Sequence, residues 1–281
     1  MLALLLLAAA AAPSADPGNR LELSASAGAA YDTNPARVSG ISDDVGSAAL
    51  VATASAGLAR DVGDWWSFYG GIRLDGSHQV QFSDLSRAVA EAEAVVLFSP
   101  RDPVALVLSA SAGRAFHGDS VRNGQVAGAR AVLRLSPTDR LAFRVRGAYT
   151  RRWADDPLFS GEAVRGGLAA EVRVGSVSFL RAGFALERSD EVLYLPSGGM
   201  MASASASAGE PWTARFGPPG GFSQPVEPVR ALAHARIASA GMELGMGRGT
   251  YLDAELSRSW VDADPASYVA DTATVTVGVR R

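Results

Sequence analysis

The sequence predicts an all-β protein, an antiparallel up-and-down transmembrane β-barrel of about twelve strands. Three observations predict it. From about residue 21 to 281 apolar and polar side chains alternate with a period of two, which sends successive side chains to opposite faces of a sheet. The connections alternate between compact turns and longer polar loops. Beyond the N-terminal segment, no run reaches the roughly 18 apolar residues that a membrane-spanning helix needs, so a spanning chain must span as strands.

The first element, Leu2 to Ala12, is a stretch of Leu and Ala followed by Ala12-Pro13-Ser14, a small-x-small cleavage pattern. It is expected to be a signal peptide over residues 1–14. Met1 abuts the apolar core without a positive n-region, and a short buried helix is the alternative. Residues 15–20 form a short segment before the barrel.

The strands follow. Leu21, Leu23, Ala25, Ala27, Ala29 and Tyr31 alternate with Glu22, Ser24, Ser26, Gly28 and Ala30. Val104, Leu106, Leu108, Ala110 and Ala112 oppose Ser109, Ser111 and Gly113. Leu141, Phe143, Val145, Gly147 and Tyr149 oppose Arg144, Arg146 and Thr150. Val164, Gly166, Leu168, Ala170, Val172 and Val174 oppose Arg165, Glu171 and Arg173. At the end of the chain, Val269, Ala273, Val275, Val277 and Val279 oppose Thr272, Thr274, Thr276 and Gly278. Such strands are buried on one side only.

Short turns are expected at Asp61–Asp64, Ser99–Pro103, Ser136–Asp139, Gly175–Ser176 and Gly247–Gly249. Longer loops, rich in Asp, Ser, Gly and Pro, are expected at Asp32–Asp44, Gln79–Asp84, His117–Asn123, Ala154–Gly161 and Val261–Ser267. The longest runs from Ser189 to Pro228. Short turns on one rim and long loops on the other are what bacterial outer-membrane barrels show, and a soluble sandwich has no reason to sort its connections this way. The interval from Ser176 to Gly247 admits one hairpin with a long loop, or two hairpins and fourteen strands. Pro211, Pro218, Pro219, Pro225 and Pro228 favour twelve, because proline cannot donate to a central ladder. No shared blade or coil signature supports a propeller or solenoid.

Composition narrows the function. The 281 residues include no cysteine, which excludes a disulfide framework and thiolate metal sites. The net charge is -3 and every cationic side chain is arginine, so nothing marks nucleic acid as a partner. Charge placement then assigns the faces. The polar faces carry Glu22, Arg73, Asp75, Glu91, Glu93, Arg130, Arg134, Arg144, Arg146, Glu171, Arg173, Arg181, Glu187, Arg230, Arg236, Asp253 and Glu255. A barrel of about twelve strands is too wide to fill with apolar groups, so a charged, wet interior and a lipid-facing apolar exterior are expected. Tyr31, Tyr149, Trp153, Trp260 and Tyr268 fall near the loop ends of their strands, and Trp65, Trp66, Phe98 and Phe179 near the turns. Two interfacial girdles are expected from them.

The segment Ala29-Ala30-Tyr31-Asp32-Thr33-Asn34-Pro35, closing the first strand, resembles the opening of porin-type outer-membrane β-barrels of proteobacteria, some linked to exopolysaccharide export. The resemblance implies a bacterial outer-membrane location and a pore or export-associated channel for hydrophilic solutes, polysaccharide among them. It implies outer-membrane lipid and the barrel assembly machinery as partners. The chain departs from such barrels in ending Val277-Gly278-Val279-Arg280-Arg281 rather than on an aromatic residue.

Asp32 and Asn34 read as a turn in which Asx side chains cap their own backbone, since one loop supplies too few oxygens for calcium. His78, His117 and His234 each stand alone. Ser77 directly precedes His78, so the two point to opposite faces, and no His-x-Ser pairing occurs. No enzyme activity, metal or cofactor is expected. The arginines are the sharpest lead: Arg130, Arg134, Arg144 and Arg146 belong to sequential strands and form one basic wall, with Glu22, Glu91, Glu93, Asp253 and Glu255 elsewhere on the circumference. Two readings stay open: opposed walls setting a transverse field, as rings of charge do in channels, or ion pairs that plug a narrow interior. A non-conducting barrel plugged by its long loop, or less plausibly a barrel lipid hydrolase, are the alternatives to a pore.

Overall fold

The computed structural model describes residues 19–34, 37, 46–101, 103–196, 226–264 and 266–280. The expected signal peptide, and the prolines at 211, 218, 219 and 225, lie outside the described residues. Twelve antiparallel strands close into one barrel, each paired to its sequence neighbour and the last to the first. They are β1 (Asn19–Asp32), β2 (Ser47–Val62), β3 (Trp66–Gln79), β4 (Arg87–Arg101), β5 (Val104–His117) and β6 (Gly124–Thr138). β7 (Leu141–Ala154), β8 (Gly161–Val174), β9 (Ser178–Pro196), β10 (Val226–Gly247), β11 (Thr250–Ala263) and β12 (Tyr268–Arg280) complete the circuit. Closure leaves no edge strand with unpaired backbone groups, the condition a sheet must meet to sit in hydrocarbon.

The turn rim is built as its residues dictate. Gly63, Gly175, Gly247 and Gly249 take positive φ in three of the turns, a conformation that a Cβ disfavours. Arg248 shares it at φ 51°, held between two glycines. On the opposite rim, three loops contain one 3₁₀ turn each: Ser83–Leu85, Ser120–Arg122 and Pro157–Phe159. Asp119 and Asp156 cap two of them, their side chains accepting from the backbone N–H of Val121 and Leu158. An aspartate two residues before an otherwise unpaired N–H supplies the missing acceptor locally.

The two faces differ as the alternation requires. Leu58, Ile72, Leu168 and Leu256 are each about 60% exposed on the outward face, 61%, 59%, 61% and 64%. They belong to a continuous apolar band that also carries Leu74, Leu108, Phe143, Val145, Leu186, Val275 and Val277. A water-soluble monomer does not expose such a surface. The seam between β1 and β12 has the tightest backbone approach: a Cβ on Gly28 would lie 1.9 Å from the carbonyl oxygen of Val275.

The β9–β10 hairpin departs from expectation. The loop expected over Ser189–Pro228 is shorter, because β9 continues to Pro196 and β10 begins at Val226. Past Ser189, β9 pairs only with β10, and before Ala233, β10 pairs only with β9. The two strands therefore run on as a two-stranded extension above the barrel. Pro228, opposite Tyr194, is tolerated there because one side of each strand has no ladder to supply.

Candidate functional site: the barrel interior

Register fixes which side chains share the interior. Glu93 pairs with Ser111, Ser109 with Arg130, Val132 with Arg146 and Arg134 with Arg144, so these residues lie on one face of β4 to β7. All four expected basic residues, Arg130, Arg134, Arg144 and Arg146, face inward. Arg165 and Arg173 on β8 extend the same wall.

Three of these six charges, Arg134, Arg144 and Arg165, are held by carboxylates on neighbouring strands. Arg144 Nη2 lies 2.7 Å from Glu171 and Arg134 Nη2 lies 3.8 Å from its other oxygen. The Glu171 side chain is only 10% exposed. Arg165 meets Glu187 at 3.8 Å. Arg181 Nη2 donates to both carboxylate oxygens of Asp253, at 2.6 and 2.8 Å, and lies 3.9 Å from Glu255. Arg181 reaches them across β10, over Gly241, where an added Cβ would stand 3.4 Å from its Nη2. Arg146 likewise lies over Gly183, 3.4 Å from the position of an added Cβ. Glycine leaves the floor flat enough for a long arginine to cross a strand.

The acidic residues divide into two groups. Asp253 and Glu255, expected on a separate wall, are neutralised by Arg181. Glu22, Glu91 and Glu93 face the interior on β1 and β4, and none makes an ion pair among the described residues. Arg73 donates from Nε to Asp75 at 2.6 Å, leaving Glu91, its cross-strand neighbour, without a direct partner. Arg130 and Arg146 also make no ion pair among the described residues. One polar cavity of about 470 Å³ is lined by Arg73, Asp75, Glu91, Glu93 and Arg130, with Ser109, Ser111 and Thr150 between them.

Four residues do not lie where the sequence reading put them. Arg230 and Arg236 face outward: Arg230 meets Asp190 at 2.8 Å and Arg236 meets Asp262 at 3.6 Å. Tyr268, expected in the girdle, points inward, is 8% exposed and donates to Glu191 at 2.5 Å. One cause covers all three. Near the outer rim the inward face is a closed apolar cluster of Leu193, Ala231, Ala233, Ala235, Val261, Tyr268 and Ala270, while the outward face carries the Arg230–Asp190 and Arg236–Asp262 pairs. The polarity of the two faces is thus reversed there. Arg37 stands over the Tyr268 ring at 5.8 Å and adds a cation to the same closure. Its guanidinium is held more firmly charged than usual: burial opposes the charge, but Tyr268, Asp32 and Glu191 together outweigh it.

Phe179 also faces inward, with the Arg173 guanidinium 5.4 Å from its ring centroid, because it shares the face of Arg181 rather than that of Leu180. The other expected girdle residues lie outward. Tyr31, Tyr149, Trp153 and Trp260 are exposed near the loop rim. Near the turns Trp65 and Trp66 are exposed, and Trp66 packs on Phe98 with ring centroids 4.4 Å apart.

The remaining sequence motifs resolve locally. Asp32 Oδ1 accepts the Asn34 N–H at 2.8 Å, the expected Asx turn. His78 lies 3.2 Å from Ser86 Oγ, a pairing across a loop that spacing along one strand does not reveal. No third group orients that histidine among the described residues. No cluster of three metal-ligating side chains occurs among them either.

Closed twelve-strand topology, an apolar exterior and a charged interior define the outer-membrane β-barrel class. No family of known proteins matches the chain by sequence, and no curated protein does. Among solved structures the fold is similar to that of an outer membrane channel from Pseudomonas putida F1, with a TM-score of 0.63 and 8% identity over 96% of this chain and 99% of that one. An anion-selective porin from Comamonas acidovorans is more distant, with a TM-score of 0.43 and 8% identity over 94% of this chain and 99% of that one. The KdgM porin has a TM-score of 0.44 and 10% identity over 90% and 98%. The particular relationship is one of fold: the chain has the architecture of the bacterial outer-membrane channels.

Proposed function

We propose that the protein is an outer-membrane pore for hydrophilic solutes, selecting them by a transverse field between an arginine-rich wall and an acidic one. The observation that carries this reading is the inward charge distribution. On β6 to β8, Arg130, Arg134, Arg144, Arg146, Arg165 and Arg173 face a single inward carboxylate of their own strands, Glu171. On β1 and β4, Glu22, Glu91 and Glu93 make no ion pair among the described residues. Charges of opposite sign held on separate stretches of one wet wall orient and slow a charged or hydroxyl-bearing solute while excluding an apolar one. The serine and threonine hydroxyls between the walls exchange hydrogen bonds with such a solute as water leaves it.

No step in passage needs a catalytic group. Polysaccharide transit is the form of this reading that the opening Tyr31-Asp32-Thr33-Asn34 segment implies, and block of the pore current by a soluble oligosaccharide tests it. Lipid of the outer membrane and the assembly machinery are the partners such a barrel requires.

The test is conductance of the refolded chain in planar bilayers. Steady currents whose anion preference falls when Arg144 and Arg146 are both replaced by glutamine support the pore; silence under all conditions overturns it. A non-conducting barrel is the second reading, favoured by the apolar cluster around Leu193 and Tyr268 at the outer mouth. Deleting residues 197–225 while keeping both strands of the extension separates the two, since current appearing only after deletion supports the plugged barrel.

A further inference from the structure

The cavity of about 470 Å³ between β3 and β7 combines uncompensated charges of both signs around a floor of small residues. Glu93 on β4 and Arg130 on β6 are separated by β5, which presents only Ser111 and Ser109 between them. Neither Glu93 nor Arg130 makes an ion pair among the described residues, although most inward arginines elsewhere do. On the acidic side Arg73 is already engaged through two nitrogens with Asp75, at 2.6 and 3.0 Å, and Arg87, which also lines the cavity, stands six residues along β4 from Glu93.

We propose that this cavity is a selectivity subsite for small amino-acid-like zwitterions, with the ammonium group on Glu93 and the carboxylate on Arg130. The inference rests on the pore reading and names the solute class of that passage. Two strand spacings separate the β4 and β6 backbones by about 10 Å. The two stand diagonally, Glu93 opposite Ser111 and Arg130 opposite Ser109, and both side chains point into the interior on either side of β5, where a charge-assisted hydrogen bond of about 2.8 Å at each end takes the ammonium and the carboxylate of one small molecule. A simple anion satisfies Arg130 and leaves Glu93 repelling it; a simple cation has the reverse problem. A neutral polyol finds the serines but neither charge. Only a solute carrying both charges compensates both walls at once, and Ser109 and Ser111 are small enough to let it lie across β5.

The experiment is swelling of proteoliposomes containing the full refolded chain. Rates are compared for serine and for glycerol, a neutral solute of similar size, with heat-modifiable gel mobility verifying the folded barrel. Wild type is expected to admit serine at least 3-fold faster than glycerol. In Glu93→Gln/Arg130→Gln that ratio falls to about 1, Arg130→Lys retains most of it, and Arg114→Gln, on the outward face, leaves it unchanged. If wild type admits both solutes equally, or the double variant keeps the ratio, the zwitterion subsite is overturned while the pore stands. If the folded wild-type chain admits neither solute and carries no current, both readings fall together.

Discussion

Arg134 and Arg144 stand directly opposite each other across the β6–β7 ladder, two guanidinium groups at a cross-strand position where like charges repel. Glu171, on the next strand, is what makes the arrangement tolerable, since both arginines converge on its carboxylate. Replacing it with glutamine leaves the two cations facing each other. Glu171→Gln is expected to lower the stability of the refolded barrel by about 1 to 2 kcal/mol, the lower end for a lost charged partner because both arginines are partly solvated. The urea midpoint in detergent micelles measures it. An unchanged midpoint would mean that water already screens the pair.

The two faces predict effects of different size for two arginine insertions. Leu168 is 61% exposed in the apolar band, whereas Ser111 on β5 faces the interior. Leu168→Arg is expected to destabilise the protein in phospholipid bilayers by about 2 to 4 kcal/mol, the range for an arginine near the midplane of a barrel's lipid face. Ser111→Arg meets water and Glu93 and is expected to change stability by less than about 1 kcal/mol. Equal effects in bilayers would place Leu168 in water and refute the membrane-facing assignment.

Closure of the barrel is exposed to a single methyl group. A Cβ on Gly28 falls inside van der Waals contact with the β12 backbone at Val275 and Thr276, and that backbone is fixed by the ladder. Gly28→Ala is expected to cost about 1 to 3 kcal/mol, as overpacking does. The loss should appear as a reduced heat-modifiable fraction on gels. Gly147→Ala, which has open space around it, serves as the comparison and should fold normally.

One loop carries a pH dependence whose sign is fixed. Burial pushes the Asp119 carboxyl above its ordinary value, against the opposing pull of the Val121 N–H and Arg122. Because the folded loop holds the proton more tightly than the unfolded chain, its stability is greatest below the ordinary carboxylate value. It declines as pH rises through the raised one. Hydrogen exchange at the Val121 to Asn123 amides is therefore expected to quicken across that window beyond its intrinsic pH dependence. Asp119→Asn keeps a capping oxygen and should abolish the excess.

The architecture was legible in the sequence because two independent periodicities agreed: side chains alternating along each strand, and short turns alternating with long loops. Phe143, Val145 and Tyr149 against Arg144 and Arg146 were enough to orient β7. Inside and outside are not polar and apolar along the whole height of the wall. On β10, Ala231, Ala233 and Ala235 look like a lipid face and Arg230, His234 and Arg236 like a lumen face. In that part of the strand the inside is packed with Leu193 and Tyr268 and the outside carries ion pairs. Counting parity back from Met242 and Leu244, both outward, would have oriented it. Position near a strand end also says nothing about direction: Tyr268 and Phe179 share it with the girdle residues and yet face inward. The pairings of Arg181 with Asp253 and of His78 with Ser86 reach across a strand or a loop, and no local pattern encodes them.

The overhang of β9 and β10 gives the molecule an asymmetric crown. With long loops on the external side, as outer-membrane barrels have them, the extension carries Asp190 and Arg230 on that side of the membrane. An antibody or protease directed at this spur would distinguish inserted from misoriented barrels on intact cells, and would do so without entering the passage.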